Sequence, residues 1–284
     1  MNAPDPQAFK AAMRDQWDRA AQGWNDHAAP IGAWLAAATD AMLEMAGVRP
    51  GARVLDVAAG AGEQTLTIAE RVGPSGFVLA TDLSPAIVAL AQANAQRAGH
   101  RHVQVRVADG EQLGVEPVSF DAAVSRLGVM FFPNPLQGLA EMRNALRPGG
   151  GVCTMVFGAP ERNPCVTILM STAMKHAGLS PRDPYQPGGL LSLGKPGLVD
   201  SLFAQAGLRE VATTSIDAPF QMPSVRHYVE FIRSSASPVL HVLGLLEPAA
   251  ADAAWAEIEQ RLSAFTTATG WEGPNELLLT AGRR

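Results

Sequence analysis

The chain is poor in the residues that most often announce a reaction or a partner. Its 284 residues include two cysteines, Cys153 and Cys165. Their spacing fits neither a metal-ligand set nor a redox pair, so both read as buried apolar thiols and no metal is expected. Only three lysines occur, Lys10, Lys175 and Lys195, and the arginines are scattered. With a formal net charge of −5 the chain shows no basic patch, which argues against broad nucleic-acid binding. No apolar run reaches ~18 residues, so no membrane span is expected. The opening stretch "MNAPDPQAFKAAMRDQW" carries charges and no apolar core, unlike a secretory signal. What is present is a hydrophobic content of 47% against 17% charged residues, enough apolar surface for a sizeable core. A soluble cytoplasmic protein is the expectation, with a homodimer permitted.

The first fifty residues read as helices. Phe9, Met13, Trp17 and Trp24 follow near-helical spacing, and Ile31, Trp34, Leu35, Ala38, Met42 and Met45 form a second apolar stripe. Strands and helices then alternate. "RVLDVA", "GFVLATD", "HVQVRVAD", "FDAAVSRLGV" and "GVCTMVFG" read as strands. Glu63 to Val72, "SPAIVALAQANAQRAG" and "NPLQGLAEMRNALRPGG" read as helices, the second with Ser84 as N-cap and Pro85 at its first position. Such alternation predicts a mostly parallel α/β sheet with helices on both faces. Residues 163–177 read as a helix. The next twenty, 178–197, hold nine Gly or Pro and read as an ordered loop or lid. "PGLVDSLFAQAGL" is a helix, "REVATTSI" a strand, 223–265 again helical, and "NELLLTAGRR" a closing strand.

In such sheets a ligand sits beyond the carboxyl ends of the strands. The first strand runs into "VLDVAAGAGEQT", whose Gly60 and Gly62 let the backbone turn sharply and approach a ligand. A dinucleotide loop needs G-x-G-x-x-G, and here the last position is Thr65. Asp56, just before the turn, would repel a pyrophosphate and suits a ligand with a positive end, such as an amino group with a sulfonium. Asp82 ends the second strand, where a carboxylate can accept from vicinal ribose hydroxyls. Asp109, followed by Gly110, ends the third and could accept from an adenine amino group. An isolated strand-end acid is usually a solvated turn or a cap. Three acids on successive strands, one beside a G-x-G turn, point to a nucleoside.

Taken in order, "VLDVAAGAGEQT", "ATDLSP", "VADGEQL", "FDAAVSRLGVMFFPNP" and "ALRPGG" resemble the motifs of class I S-adenosylmethionine-dependent methyltransferases. The nearest subgroup resembles the ubiquinone/menaquinone-biosynthesis C-methyltransferases and similar small-molecule enzymes. The resemblance covers residues 50–158 well, and "WDRAAQGW" and the end of the chain more loosely. Ala58 and Ala59 depart from the Gly or Cys common there. The resemblance implies a Rossmann-like seven-stranded sheet with an antiparallel last strand, N-terminal helices and a mainly helical cap. It divides the chain into a helical cover (1–50), a cofactor-binding core (51–158), a lid or cap insertion (159–200) and a C-terminal part of the sheet with a helical insertion (201–284). It implies S-adenosylmethionine as cofactor. Asp56, Ala58, Gly60, Gly62 and Gln64 would hold the methionine part. Asp82 would take the ribose, with Leu83 near the adenine. Ala108, Asp109 and Gly110 would hold the adenine edge, Ser125 and Arg126 would sit near the sulfonium, and Trp17 and Trp24 would close the site.

The methyl acceptor is expected to be a small, apolar or aromatic metabolite, because 159–200 and "GVMFF" are apolar and carry few charges. O-, N- and C-methylation stay open. His27, His227 and Tyr185 lead as groups that could remove a proton or position the acceptor, with His176, His241 and Tyr228 behind; each also reads as a surface or cap residue. Two other classes compete. An NAD-dependent oxidoreductase is disfavoured by Asp56, Thr65 and the lack of a Tyr-x-x-x-Lys pair. A protein of this fold could also bind the cofactor without transferring methyl, in a regulatory, lyase or pericyclic role.

Overall fold

The computed structural model describes residues 5–181 and 183–284, apart from the side chain of Ser237. Residues 1–4 of the expected cover and Arg182 of the expected lid lie outside the described residues. Two helices open the chain, α1 (Pro6–Asp26) and α2 (Ala28–Ala46), separated at His27. Then follow β1 (Arg53–Val57), α3 (Glu63–Val72), β2 (Phe77–Asp82), α4 (Pro85–Arg97), β3 (Val103–Val107), β4 (Phe120–Arg126), α5 (Pro135–Ala145) and β5 (Leu146–Phe157). The remainder holds α6 (Pro164–His176), α7 (Leu198–Gln205), β6 (Arg209–Asp217), β7 (Phe220–Met222), α8 (Val225–Ser235), α9 (Ser237–Leu243), α10 (Pro248–Leu262), β8 (Thr266–Thr267), β9 (Gly270–Gly273) and β10 (Glu276–Arg283).

The large sheet has seven strands in the order β3-β2-β1-β4-β5-β10-β6. β1 to β5 pair in parallel, and β10 runs antiparallel to both β5 and β6. This is the expected Rossmann-like sheet with an antiparallel last strand. The strand order reverses between β1 and β4, so the loops after β1, β2 and β4 converge on one crevice. The local chemistry follows the sequence. The Ser84 hydroxyl accepts from the Ile87 N–H at 3.1 Å and Pro85 opens α4. Asn134 accepts from Gln137 N–H at 3.2 Å and Pro135 opens α5. α2 is pinned by its apolar stripe: Ile31, Leu35, Ala38 and Met42 are all buried.

Three features differ from the sequence reading. α5 stops at Ala145, and "LRPGG", expected to end that helix, already belongs to β5, with a register irregularity against β4 between Phe120 and Ala122. The helical stretch 223–265 is three helices rather than one run. A second antiparallel sheet, β7-β9-β8, stands beside them and was not anticipated. Its strands have two to four residues, too short for any periodicity to register. Its centre is Trp271, buried at 1% exposure, whose indole N–H donates to Leu262 O at 2.8 Å.

A candidate nucleoside-binding site under a helical cover

The turn after β1 is built to bring backbone close to a ligand. Gly60 and Gly62 have φ of +59° and +88°, the left-handed region that glycine enters freely. Ala58 shares that region at +56°, where a Cβ is strained by about 1 kcal/mol. A Cβ on Gly60 would lie 3.2 Å from the Trp24 indole nitrogen, and one on Gly62 would lie 3.2 Å from Ala91 Cα and Cβ. The first glycine makes room for the cover, the second for α4.

Asp82 sits at the centre of this turn. Its Oδ2 accepts from the Gly60 N–H at 3.1 Å and its Oδ1 from the Ser84 N–H at 3.0 Å. Burial pushes its pKa up, and these backbone donors partly counter that. Asp109, after β3, has a different partner. Lys10 Nζ of α1 lies 2.6 Å from Asp109 Oδ2 and 2.6 Å from Glu111 Oε2. Burial alone would lower the Lys10 pKa, but the two carboxylates outweigh it and the net shift is upward. Beside them the Phe132 ring fills the space over Gly110: a Cβ there would lie 2.2 Å from the ring.

Asp56 does not reach the crevice. It is fully buried beneath the turn, with Oδ1 accepting from the Gln64 amide and Oδ2 from the Thr65 hydroxyl at 2.7 Å. Burial, opposed by those donors and by Arg126, pushes its pKa up to about 6. Its direct contact with a positive ligand, expected from sequence, is replaced by an indirect arrangement. A carboxylate only accepts, so the Gln64 NH2 group must face Asp56. Gln64 Oε1 is then left buried with no partner among the described residues, and Gln64 lines the crevice. Arg126, at the end of β4, also lines it, held by Glu63 and by the Thr39 hydroxyl at 3.0 Å. Ser125 is fully buried behind Gly128 and does not line the crevice, its hydroxyl unpartnered among the described residues.

α1 closes the crevice from above. Besides Lys10, Asp18 accepts from the Ser84 hydroxyl and from Ala86 N–H at 3.1 Å, and Asn25 accepts from Asn94 at 2.7 Å. Trp17 and Trp24 meet edge to face, centroids 5.9 Å apart, and both line the cavity. α1 crosses α8 at Gly23, where a Cβ would lie 1.9 Å from Ser234 O. Since backbone cannot yield there, Gly23→Val is expected to lift α1 off α8. Amide hydrogen exchange across residues 6–26 should then accelerate by at least about tenfold, with β1 to β5 unchanged. Equal exchange in both proteins would refute this account of the cover.

One continuous cavity holds these groups. Trp17, Trp24, Ala58, Gly60, Gln64, Asp82, Leu83, Ala108, Asp109, Gly110 and Arg126 all line it. Asp56, Gly62 and Ser125 shape its floor from behind.

A protein-family model described as a methyltransferase domain matches residues 54–150, the stretch from β1 into β5. That match spans the strand-end groups just described. Over residues 54–150, therefore, the chain is similar to methyltransferase domains. The chain is 32% identical over 131 residues to a ubiquinone/menaquinone biosynthesis C-methyltransferase of Ectopseudomonas mendocina, an alignment covering 46% of this chain and 51% of that protein. The chain spans about half the length of the curated relatives it matches. Among solved structures it is similar to the YcgJ protein of Bacillus subtilis (TM-score 0.59, 18% identity, covering 87% of this chain and 97% of that one). It is also similar to phosphoethanolamine N-methyltransferase 2 of Haemonchus contortus, solved with phosphomonomethylethanolamine and S-adenosylhomocysteine (TM-score 0.60, 16% identity, covering 95% of this chain and 60% of that one). At these identities the two structures speak for the fold.

Outside the matched stretch the cavity continues into an apolar lobe. Its walls include Trp34, Phe157, Val166, Leu169, Phe220 and Phe231. Trp34 stands between them, 4.7 Å from Phe220 and 6.3 Å from Phe157, its N–H donating to Ala218 O at 2.7 Å. The groups first considered for proton removal are not brought to it. His27 bonds Gly23 O at 2.8 Å, His227 pairs with Ser224 at 2.8 Å on the exposed face of α8, and Tyr185 lies in the loop after α6 with its N–H on Asp183. His176 pairs with Glu257 and His241 is exposed on α9. Of the six, Tyr228 alone lines the cavity. Of the "GVMFF" stretch, Gly128, Met130, Phe131 and Phe132 line it, while the sequence reading passed over Lys10, Glu111, Trp34 and Asn275 as lining groups. No local signal marks Lys10, since its partners lie about a hundred residues away.

Proposed function

We propose that the chain is an S-adenosylmethionine-dependent methyltransferase acting on a small, apolar or aromatic metabolite. The observation that carries this is Asp82: a half-buried carboxylate on the cavity wall at the end of β2, fixed by the Gly60 and Ser84 amides beside a two-glycine turn. That is the placement a pair of ribose hydroxyls needs. The orphaned Gln64 Oε1 fits the ammonium end of the same ligand, and the Trp24-covered Gly60 cradle fits a close backbone approach. In this reading Asp109 and Glu111 face the adenine edge together with Lys10, and Leu83 and Phe132 pack near its ring. The names of the relatives and the S-adenosylhomocysteine bound by the worm enzyme support the cofactor choice.

When bound, S-adenosylmethionine would supply an activated methyl on a sulfonium, which an aligned nucleophile could take in line as the C–S bond breaks and the neutral thioether leaves. The chain's residues act by placement: α1 and the two tryptophans exclude water over the turn, and the apolar lobe orients the acceptor toward Arg126 and Gly128 at the end of β4. Such positioning can supply most of the acceleration. Calorimetric titration is expected to give a dissociation constant on the order of micromolar for S-adenosylmethionine. Absence of binding would overturn the reading. Labelled-methyl transfer to a library of neutral ring compounds then separates transfer from binding alone.

A further inference from the structure

We infer that Tyr228 and Asn275 form the polar reading head of the acceptor lobe, and that the acceptor is an uncharged ring compound bearing a hydroxyl or carbonyl. This rests on the methyltransferase reading for the word acceptor, though not for the binding chemistry itself. The charged residues lining the cavity are Lys10, Asp82, Asp109, Glu111 and Arg126, all at the nucleoside end. The lobe walls contributed by α6, α8 and α9 and by the end of β5 carry none. An ionised group entering that lobe would lose its hydration without a counter-charge, a cost that excludes anionic and cationic heads.

Among the described residues Ser235 lines the lobe but gives its hydroxyl to Phe231 O at 2.6 Å, and two other polar side chains of the lining, Tyr228 and Asn275, remain available. Tyr228 is 5% exposed, its ring stacked on Trp271 at 4.3 Å and edge to face with Phe220 at 5.4 Å. Its hydroxyl bonds to no group among the described residues. Asn275 is 6% exposed and gives its NH2 to Gly273 O at 3.0 Å, leaving Oδ1 as a spare acceptor. Its own carbonyl accepts from Ala218 N–H at 2.8 Å, and Phe220 pairs with Gly273 in the β7–β9 ladder. Both side chains line the same cavity as Phe220, one offering a donor and the other an acceptor. Burial raises the Tyr228 pKa well above 10, so it stays a protonated donor at neutral pH and does not serve as a base. It is a positioning residue: it orients a polar substituent so that the reacting atom faces the β4 end.

The test uses the whole chain without cofactor and three probes of one shape: naphthalene, 2-naphthol and the anion 2-naphthoate. Dissociation constants come from equilibrium dialysis. Wild type is expected to bind 2-naphthol about five- to tenfold more tightly than naphthalene, the size of one net hydrogen bond, and 2-naphthoate least. Tyr228→Phe should erase the 2-naphthol advantage while keeping the naphthalene affinity, which also certifies an intact cavity. Asn275→Leu should reduce the same advantage. An unchanged 2-naphthol preference in Tyr228→Phe, tighter binding of 2-naphthoate, or no probe binding to folded wild type would each overturn the proposal. None of these depends on S-adenosylmethionine, whose binding is titrated separately.

Discussion

Replacing Asp82 by alanine is expected to weaken S-adenosylmethionine binding about a hundredfold, close to 3 kcal/mol, the strength of charge-assisted bonds to two hydroxyls. Part of that loss is direct. The rest comes from the turn, since the Gly60 and Ser84 amides both donate to this carboxylate. Asp82→Asn keeps an acceptor for one amide and is expected to recover part of the affinity. The same carboxylate should set a pH limit. Because burial raises its pKa, ribose recognition is expected to fade as pH falls, starting above the ordinary carboxylate range. Calorimetric titration of the three proteins at neutral and mildly acid pH measures both effects. Equal affinity in wild type and Asp82→Ala would remove the ribose assignment.

The parts of this molecule that were legible in the sequence are those whose signal is local. The alternation of apolar runs with capped helices, such as Ser84-Pro85 before α4, predicts the parallel sheet, and the sheet then dictates that Gly60, Asp82 and Asp109 meet at one edge. What was not legible depends on long-range placement. Lys10 and Asp109 are 99 residues apart, and Tyr228 and Asn275, from α8 and from just before β10, line one cavity only through the tertiary fold. The histidines illustrate the converse. They are conspicuous as residue types, yet His27 is occupied by its own helix and His176 by Glu257, so chemical capacity in the sequence did not translate into presence at the site. Asp56 is conspicuous in the sequence beside the turn, but its burial, which decides its role, is invisible until β1 is seen between β2 and β4.

That burial leads to the second large effect. The Asp56 pKa rises from 3.8 to about 6 in the folded chain. Between these values the folded protein holds a proton that the unfolded chain has released, so folding takes up protons and stability falls as pH rises. The contribution is fully present below about pH 4 and is lost as pH passes through about 6, amounting to about 3 kcal/mol. Asp56→Asn cannot titrate. Its stability in urea, relative to wild type, is therefore expected to improve by about 2 kcal/mol on going from pH 4 to pH 7, and parallel pH profiles would refute the burial argument. The variant should nevertheless bind S-adenosylmethionine less tightly. An amide at this position can donate as well as accept, so it no longer forces the Gln64 NH2 group inward and Oε1 toward the ligand. The Asp56 carboxylate thus destabilises the fold at neutral pH while, as an obligate acceptor, it fixes the orientation of its neighbour.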